Sequence, residues 1–112
     1  MYPLVNDKLR ETKHKISLVV TGGGSCAIDN ILKYGGASST LIDAYVPYDI
    51  TATDKYLGFV PNQYCSTETS SLIAMEAFKR ACELNDKEWT LGVGVTCKLA
   101  KISNEREGRE QY

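Results

Sequence analysis

A chain of 112 residues, 43% hydrophobic and 24% charged, is one domain's worth of sequence, with a core that needs neither metal nor disulfide staples. Its 13 basic and 14 acidic residues leave a net charge of -1, which supplies no overall field for nucleic acid or an anionic membrane surface. The apolar runs fall far short of a membrane span and none reads as a signal peptide, so the chain reads as cytoplasmic, with small neutral or singly charged molecules left as partners.

Residues 5–15 are mostly polar, with Asn6 as a helix-cap candidate and Val5 and Leu9 as the buried positions, which predicts a peripheral helix or an ordered tail. Residues 16–20, Ile-Ser-Leu-Val-Val, suit a central strand covered on both faces. Thr21-Gly22-Gly23-Gly24-Ser25-Cys26 then forms a strand-to-helix junction. The first N–H groups of a helix lack internal partners, so such a loop either binds an anion or oxyanion through its backbone or merely makes a tight turn. The spacing matches neither a P-loop nor a dinucleotide fingerprint. A helix is expected from about Ser25 to Tyr34, with Ala27, Ile28, Ile31 and Leu32 on one face and Gly35-Gly36 ending it.

Ser38-Ser39 begins a turn, residues 40–46 read as a strand, and Pro47 stops it. Tyr48 and Asp49 lie just beyond. A short helix is predicted from about Thr51, with Asp54 completing a capping box and Gly58 as terminator. The strongest helix signal covers residues 66–84: Ser66 caps, Glu68 suits the first turn, and Ile73, Ala77, Ala81 and Leu84 make the apolar stripe, while Glu76, Lys79, Arg80 and Glu83 face water. A last strand spans residues 89–97, in which Gly92 and Gly94 share one face and either admit a closely packed helix or clear room for a ligand. Residues 101–112 form a charged tail.

Strands alternating with helices predict an α/β fold, a three-layer α/β/α sandwich built as one domain over residues 1–112. Ligands in such sheets sit outside the carboxyl ends of the strands, where residues 21–26, Tyr48-Asp49 and Thr96-Cys97 would converge. Tyr48 either lines that pocket or packs under its loop, and Thr96 either lines it or satisfies a backbone group. Asp43 and Asp49 could pair as carboxylates or serve as a cap and a surface group. The four cysteines form no C-x-x-C unit, and His14 is the one histidine and reads as a solvated residue, so no metal and no cofactor is called for. Cys82 falls among core positions of its helix, whereas Cys26 sits where a helix N-terminus can activate a thiol.

Five stretches together resemble the C-terminal domain of the competence-damage protein family, CinA, which includes the bacterial nicotinamide-nucleotide amidases. The glycine loop and its helix are similar to the family's Glu-Ser-Cys-Thr-Gly-Gly loop, and Gly36-Ala37-Ser38-Ser39 to its Pro-Gly-Ser-Ser turn. Val46-Pro47-Tyr48 through Leu57-Gly58 resembles the lysine-bearing segment, Cys65-Ser66 the helix start, and Gly94-Val95-Thr96 the Ala-Val-Thr-Gly strand end.

The resemblance implies a pocket for nicotinamide mononucleotide or a similar phosphorylated small molecule, lined by Gly22, Gly23, Gly24, Ser38, Ser39, Tyr48 and Thr96. It implies amide hydrolysis by a serine nucleophile and an activating lysine, yet the matching positions here are Gly22 and Thr53. An active amidohydrolase would then have to use Ser25 or Cys26 as nucleophile. The resemblance also implies that the family's last strand and helix are missing, since Gln111-Tyr112 falls about where that strand begins. The uncovered sheet edge this leaves predicts a homo-oligomer, and with it a third reading of the domain as a non-catalytic interaction module.

Overall fold

The computed structural model describes residues 3–33, 36–85 and 89–98, with side chains from Asp7 onward. The charged stretch 101–112, the Tyr34-Gly35 end of the first glycine-loop helix and the Asp86-Lys87 turn lie outside the described residues.

Helix α1 runs Pro3–Thr12 and strand β1 His14–Val20, with Lys13 between them in the left-handed region at φ 62. Asn6 therefore lies within the helix rather than capping it. Helix α2 is Cys26–Lys33 and strand β2 Leu41–Tyr45, joined through a short 3-10 turn, Ala37–Ser39, that Gly36 enters at φ 99. Helix α3 is Ile50–Leu57, α4 is Thr67–Leu84, and β3 is Trp89–Val95. The order along the chain is that of an α/β protein.

The three strands make one parallel sheet in the order β2-β1-β3, so the most apolar strand lies in the middle, as the unbroken run at its end predicts. Its alternate residues feed two cores. Ile16, Leu18 and Val20 pack with Ile31 of α2, joined by Leu9, Ile28, Leu41, Val93 and Val95. Val19 packs with Tyr56 and Leu57 of α3 and with Ile73 and Ala77 of α4. Ser17 shares the second face, fully buried, and its hydroxyl donates to Asp43, its register partner's side chain on β2.

Helix α4 begins where expected: Ser66 Oγ accepts from the Thr69 N–H at 3.1 Å, and Thr69, Ile73, Ala77 and Ala81 are buried. Leu84, expected on that stripe, is exposed, and so is Leu32 of α2, next to the buried Ile31. Arg80 does not simply face water. It pairs with Glu76 at 2.8 Å, donates to the Tyr56 carbonyl at 3.2 Å, and lies 4.2 Å from the centre of the Tyr56 ring.

Helix α3 is capped by Asp49, whose carboxylate accepts from the Thr51 N–H at 3.1 Å, and not by Thr51 with Asp54. Asp54 instead accepts from the Tyr64 hydroxyl at 2.7 Å, and Gly58 ends the helix at φ 88 as expected. Asp43 and Asp49 thus have separate partners and form no carboxylate pair. His14 pairs with Trp89 opposite it in the sheet, their rings 5.1 Å apart and edge to face.

Candidate functional site

In a parallel sheet every strand points the same way, so the carboxyl ends of β1, β2 and β3 share one rim and the amino ends share the other. The glycine loop leaves β1 at the first rim and is tied there to the end of β3. The Thr21 N–H donates to the Val95 carbonyl at 3.1 Å, and the Cys97 thiol donates to the Gly23 carbonyl at 2.9 Å. A Cβ at Gly22 would stand 2.6 Å from the Cys97 carbonyl oxygen, so this glycine exists to let two loops touch. The carbonyls of Gly24 and Ser25 accept from Ala27 and Ile28, each at 3.0 Å, which starts α2.

The same rim is overlooked by the N-terminus of α4. Gly92 and Gly94 decide how close that helix comes. An added Cβ at Gly94 would lie 2.6 Å from the Ser70 carbonyl oxygen and 2.8 Å from the Ala74 nitrogen, and one at Gly92 would meet Ala74 and Phe78 backbone. The glycine pair admits a closely packed helix, and Gly94 also lines a hollow at that helix's start. The consequence is local: the Thr96 hydroxyl, just past β3, lies 3.5 Å from the Ser66 carbonyl at the start of α4.

Two adjoining hollows open where these elements meet. One, of about 440 Å³, is lined by Thr21, Gln63, Tyr64, Cys65, Cys97 and Lys98. The other, of about 320 Å³, shares Cys65 and is walled by Ser66, Thr67, Ser70 and Thr96. The walls mix hydroxyls, thiols, an amide and one cation, Lys98, with apolar surface that includes Gly94 and Val95. Burial pushes the Cys97 thiol above its ordinary value, and nearby Cys65 adds to the rise. The bond to Asp54 raises the Tyr64 phenol likewise.

The residues expected in one pocket divide between places. Gly22, Gly23 and Thr96 meet at the rim just described, although Thr96 is largely buried. Ser25 and Cys26 stand exposed on the outer side of the loop, where the Asn30 amide donates to the Cys26 sulfur at 3.3 Å. An amide donor is no general base, so this contact takes no proton from the thiol. Gly24 is exposed too, at φ 105. Tyr48 lies past the end of β2, on the far side of β1 from β3, and is 66% exposed. Ser38 and Ser39 precede the amino end of β2 and so belong to the opposite rim, because Ile16, near the start of β1, pairs with Leu41.

Thr53, where the resemblance would put the lysine, is 3% exposed and donates to the Pro47 carbonyl at 2.7 Å. Lys55, two positions on, faces solvent. Neither position of the implied Ser/Lys pair carries catalytic chemistry. Gln63, Tyr64, Cys65 and Lys98 were not among the expected site residues. The signal for Lys98 was its place after a strand that ends at the ligand rim, but the loop before α4 carries no pattern that marks it.

Among the described residues, no group of three or more His, Cys, Asp or Glu is placed to hold a metal, and no helix is long and apolar enough to cross a membrane. No family model, curated protein or solved structure matches this chain.

Proposed function

We propose that the chain is a CinA-like domain with α/β/α layering that binds a small phosphorylated ligand, such as a nicotinamide nucleotide, at the carboxyl rim of its sheet and does not hydrolyse it. The observation that carries this reading is the polar cleft between the start of α4 and the ends of β1 and β3. Its place obeys the rule for open α/β sheets. Its chemistry suits a phosphate or carboxylate: the start of α4 with the Thr67 and Ser70 hydroxyls lines one hollow, and Thr21 and Lys98 line the adjoining one. The layering is supported by the two apolar clusters that alternate residues of β1 feed.

Binding without hydrolysis is supported by Gly22 and Thr53. Gly22 has no side chain to attack an amide, and the Thr53 hydroxyl is committed to a backbone carbonyl. The unbridged thiols of Cys26, Cys82 and Cys97 suit a reducing compartment, the cytoplasm.

Titration calorimetry with nicotinamide mononucleotide, its acid and adenine nucleotides tests the reading. At least one should bind at millimolar concentration or better, and Lys98→Ala should weaken that binding. No heat from any of them overturns it. Ammonia release from the mononucleotide that Ser25→Ala or Cys26→Ala abolishes would establish hydrolysis instead.

A second reading, self-association, is favoured by β3. It is an edge strand, and Trp89 and Leu91 on it, with Met75 and Phe78 on the adjoining helix, expose large apolar surfaces. A monomer by light scattering refutes that reading.

A further inference from the structure

We propose that Cys65 and Cys97 are a thiol pair that hydrogen peroxide converts to a disulfide, and that the conversion removes one of the two ties between the glycine loop and the end of β3. Both line the same hollow, one from the loop before α4 and one from the segment after β3. The segments that carry them are neighbours: the Thr96 hydroxyl, next to Cys97, lies 3.5 Å from the carbonyl of Ser66, next to Cys65. A shared wall and adjoining chain segments put the two thiols in one neighbourhood, and the bond forms when their Cα atoms come within about 7 Å. The other two thiols line neither hollow: Cys26 stands against Asn30 on α2, and Cys82 lies 3.4 Å from the Thr90 hydroxyl.

The roles within the pair follow from exposure. Cys65 is half-buried and Cys97 buried, so Cys65 meets the peroxide first. Its thiolate sulfur attacks one peroxide oxygen, the O–O bond breaks, and the departing oxygen leaves as water with the proton that the thiol gave up. Cys65 is then a sulfenic acid. The Cys97 sulfur displaces its hydroxyl: the S–S bond forms, the S–O bond breaks, and the hydroxide leaves as a second water with the Cys97 proton. The two thiols are oxidised by two electrons, and the peroxide is reduced by the same two. Burial, which keeps Cys97 protonated, fits it to the second step and not the first.

The structural effect follows from the hydrogen that is lost. In the reduced protein the Cys97 S–H donates to the Gly23 carbonyl at 2.9 Å, a direct tie between the glycine loop and the strand end. A disulfide sulfur has nothing to donate. Oxidation therefore removes that tie while pinning Cys97 to the start of α4.

The whole chain, treated with hydrogen peroxide, alkylated with N-ethylmaleimide and digested, provides the test. The expected products are a Cys65–Cys97 linked peptide that dithiothreitol cleaves, and two alkylated thiols at Cys26 and Cys82. Hydrogen exchange at residues 22–25 should quicken on oxidation by about two- to tenfold, the range that one lost hydrogen bond gives. Cys65→Ser should abolish both effects, and the combined Cys26→Ser and Cys82→Ser variant should keep both. Cys65 passing to sulfinic acid without the link overturns the pairing, and a link with unchanged exchange at residues 22–25 overturns the loss of the tie. Neither readout uses a nucleotide, so the result stands apart from the ligand proposed above.

Discussion

Gly94→Ala asks whether the helix α4 is seated on β3 by a notch in the strand. The added methyl carbon would lie 2.6 Å from the Ser70 carbonyl oxygen, 2.8 Å from the Ala74 nitrogen and 3.1 Å from the Ile73 side chain. Two of those three neighbours are backbone, so no rotamer change relieves them. The helix must instead retreat by roughly 0.8 Å to take the 2.6 Å approach back to ordinary contact. Overpacking of this kind costs about 1–3 kcal/mol. Alanine recovers about 0.5–1 kcal/mol because it is less costly to order in a strand than glycine. The net expectation is a loss of roughly 1–2 kcal/mol, which with a urea slope of about 1–3 kcal/mol per M lowers the unfolding midpoint by roughly 0.3–2 M. A double-mutant cycle sharpens the assay. Ala74→Gly removes a side chain but leaves the backbone nitrogen in place, so the coupling between the two changes should be near zero. A Gly94→Ala protein as stable as the parent, or one that Ala74→Gly rescues, would refute the backbone notch.

Three further substitutions probe single contacts. Ser66→Ala should cost about 1 kcal/mol in urea unfolding by removing the acceptor for the Thr69 N–H, and Ser66→Asn should restore most of it. The Tyr56 hydroxyl is buried without a partner, so Tyr56→Phe should be neutral or stabilising by up to about 1 kcal/mol. Burial, opposed by Arg80 and aided by Glu76 and Asp43, pushes this phenol up to about 12, so the fold keeps it protonated at a pH where the unfolded chain ionises. Its contribution is complete below pH 10 and is lost as pH rises to about 12, so the melting temperature of the parent should fall across that window more steeply than that of Tyr56→Phe. Thr53→Val should cost about 1–2 kcal/mol by leaving the Pro47 carbonyl unpartnered. Thr53→Lys should cost several kcal/mol more by burying a charge, with no gain of ammonia release from nicotinamide mononucleotide.

The elements that local rules govern were legible in the sequence. The run at residues 16–20 announced a strand covered on both faces, Ser66 announced the start of α4, and Gly58 announced the end of α3. What escaped depended on partners distant in the chain. Arg80 reads as a solvent residue until Tyr56, brought over by α3, gives it a carbonyl and a ring. Asp49 and Thr51 both suit a helix start, and the extended backbone at Asp49 decides between them. For the site, sequence order suggested a convergence at strand ends, and Gly22, Gly23 and Thr96 do meet. Ser38 and Ser39 could not be assigned to a rim without knowing that Leu41 sits beside Ile16. Cys65 and Lys98 carry no pattern of their own and enter the cleft through the packing of α4 on β3.

That packing fixes more than stability. Since the glycine notch seats α4 directly on β3, the spacing between Ser66 and Thr96 is a property of the fold itself. On the ligand reading proposed above, a molecule entering there would meet walls already spaced. Little of its binding energy goes into closing the walls, and a molecule of the wrong width gains nothing from inducing a fit. Changing the size of the accepted ligand would have to proceed through the loop that carries Gln63, Tyr64 and Cys65, which is the side of the cleft that the notch does not hold.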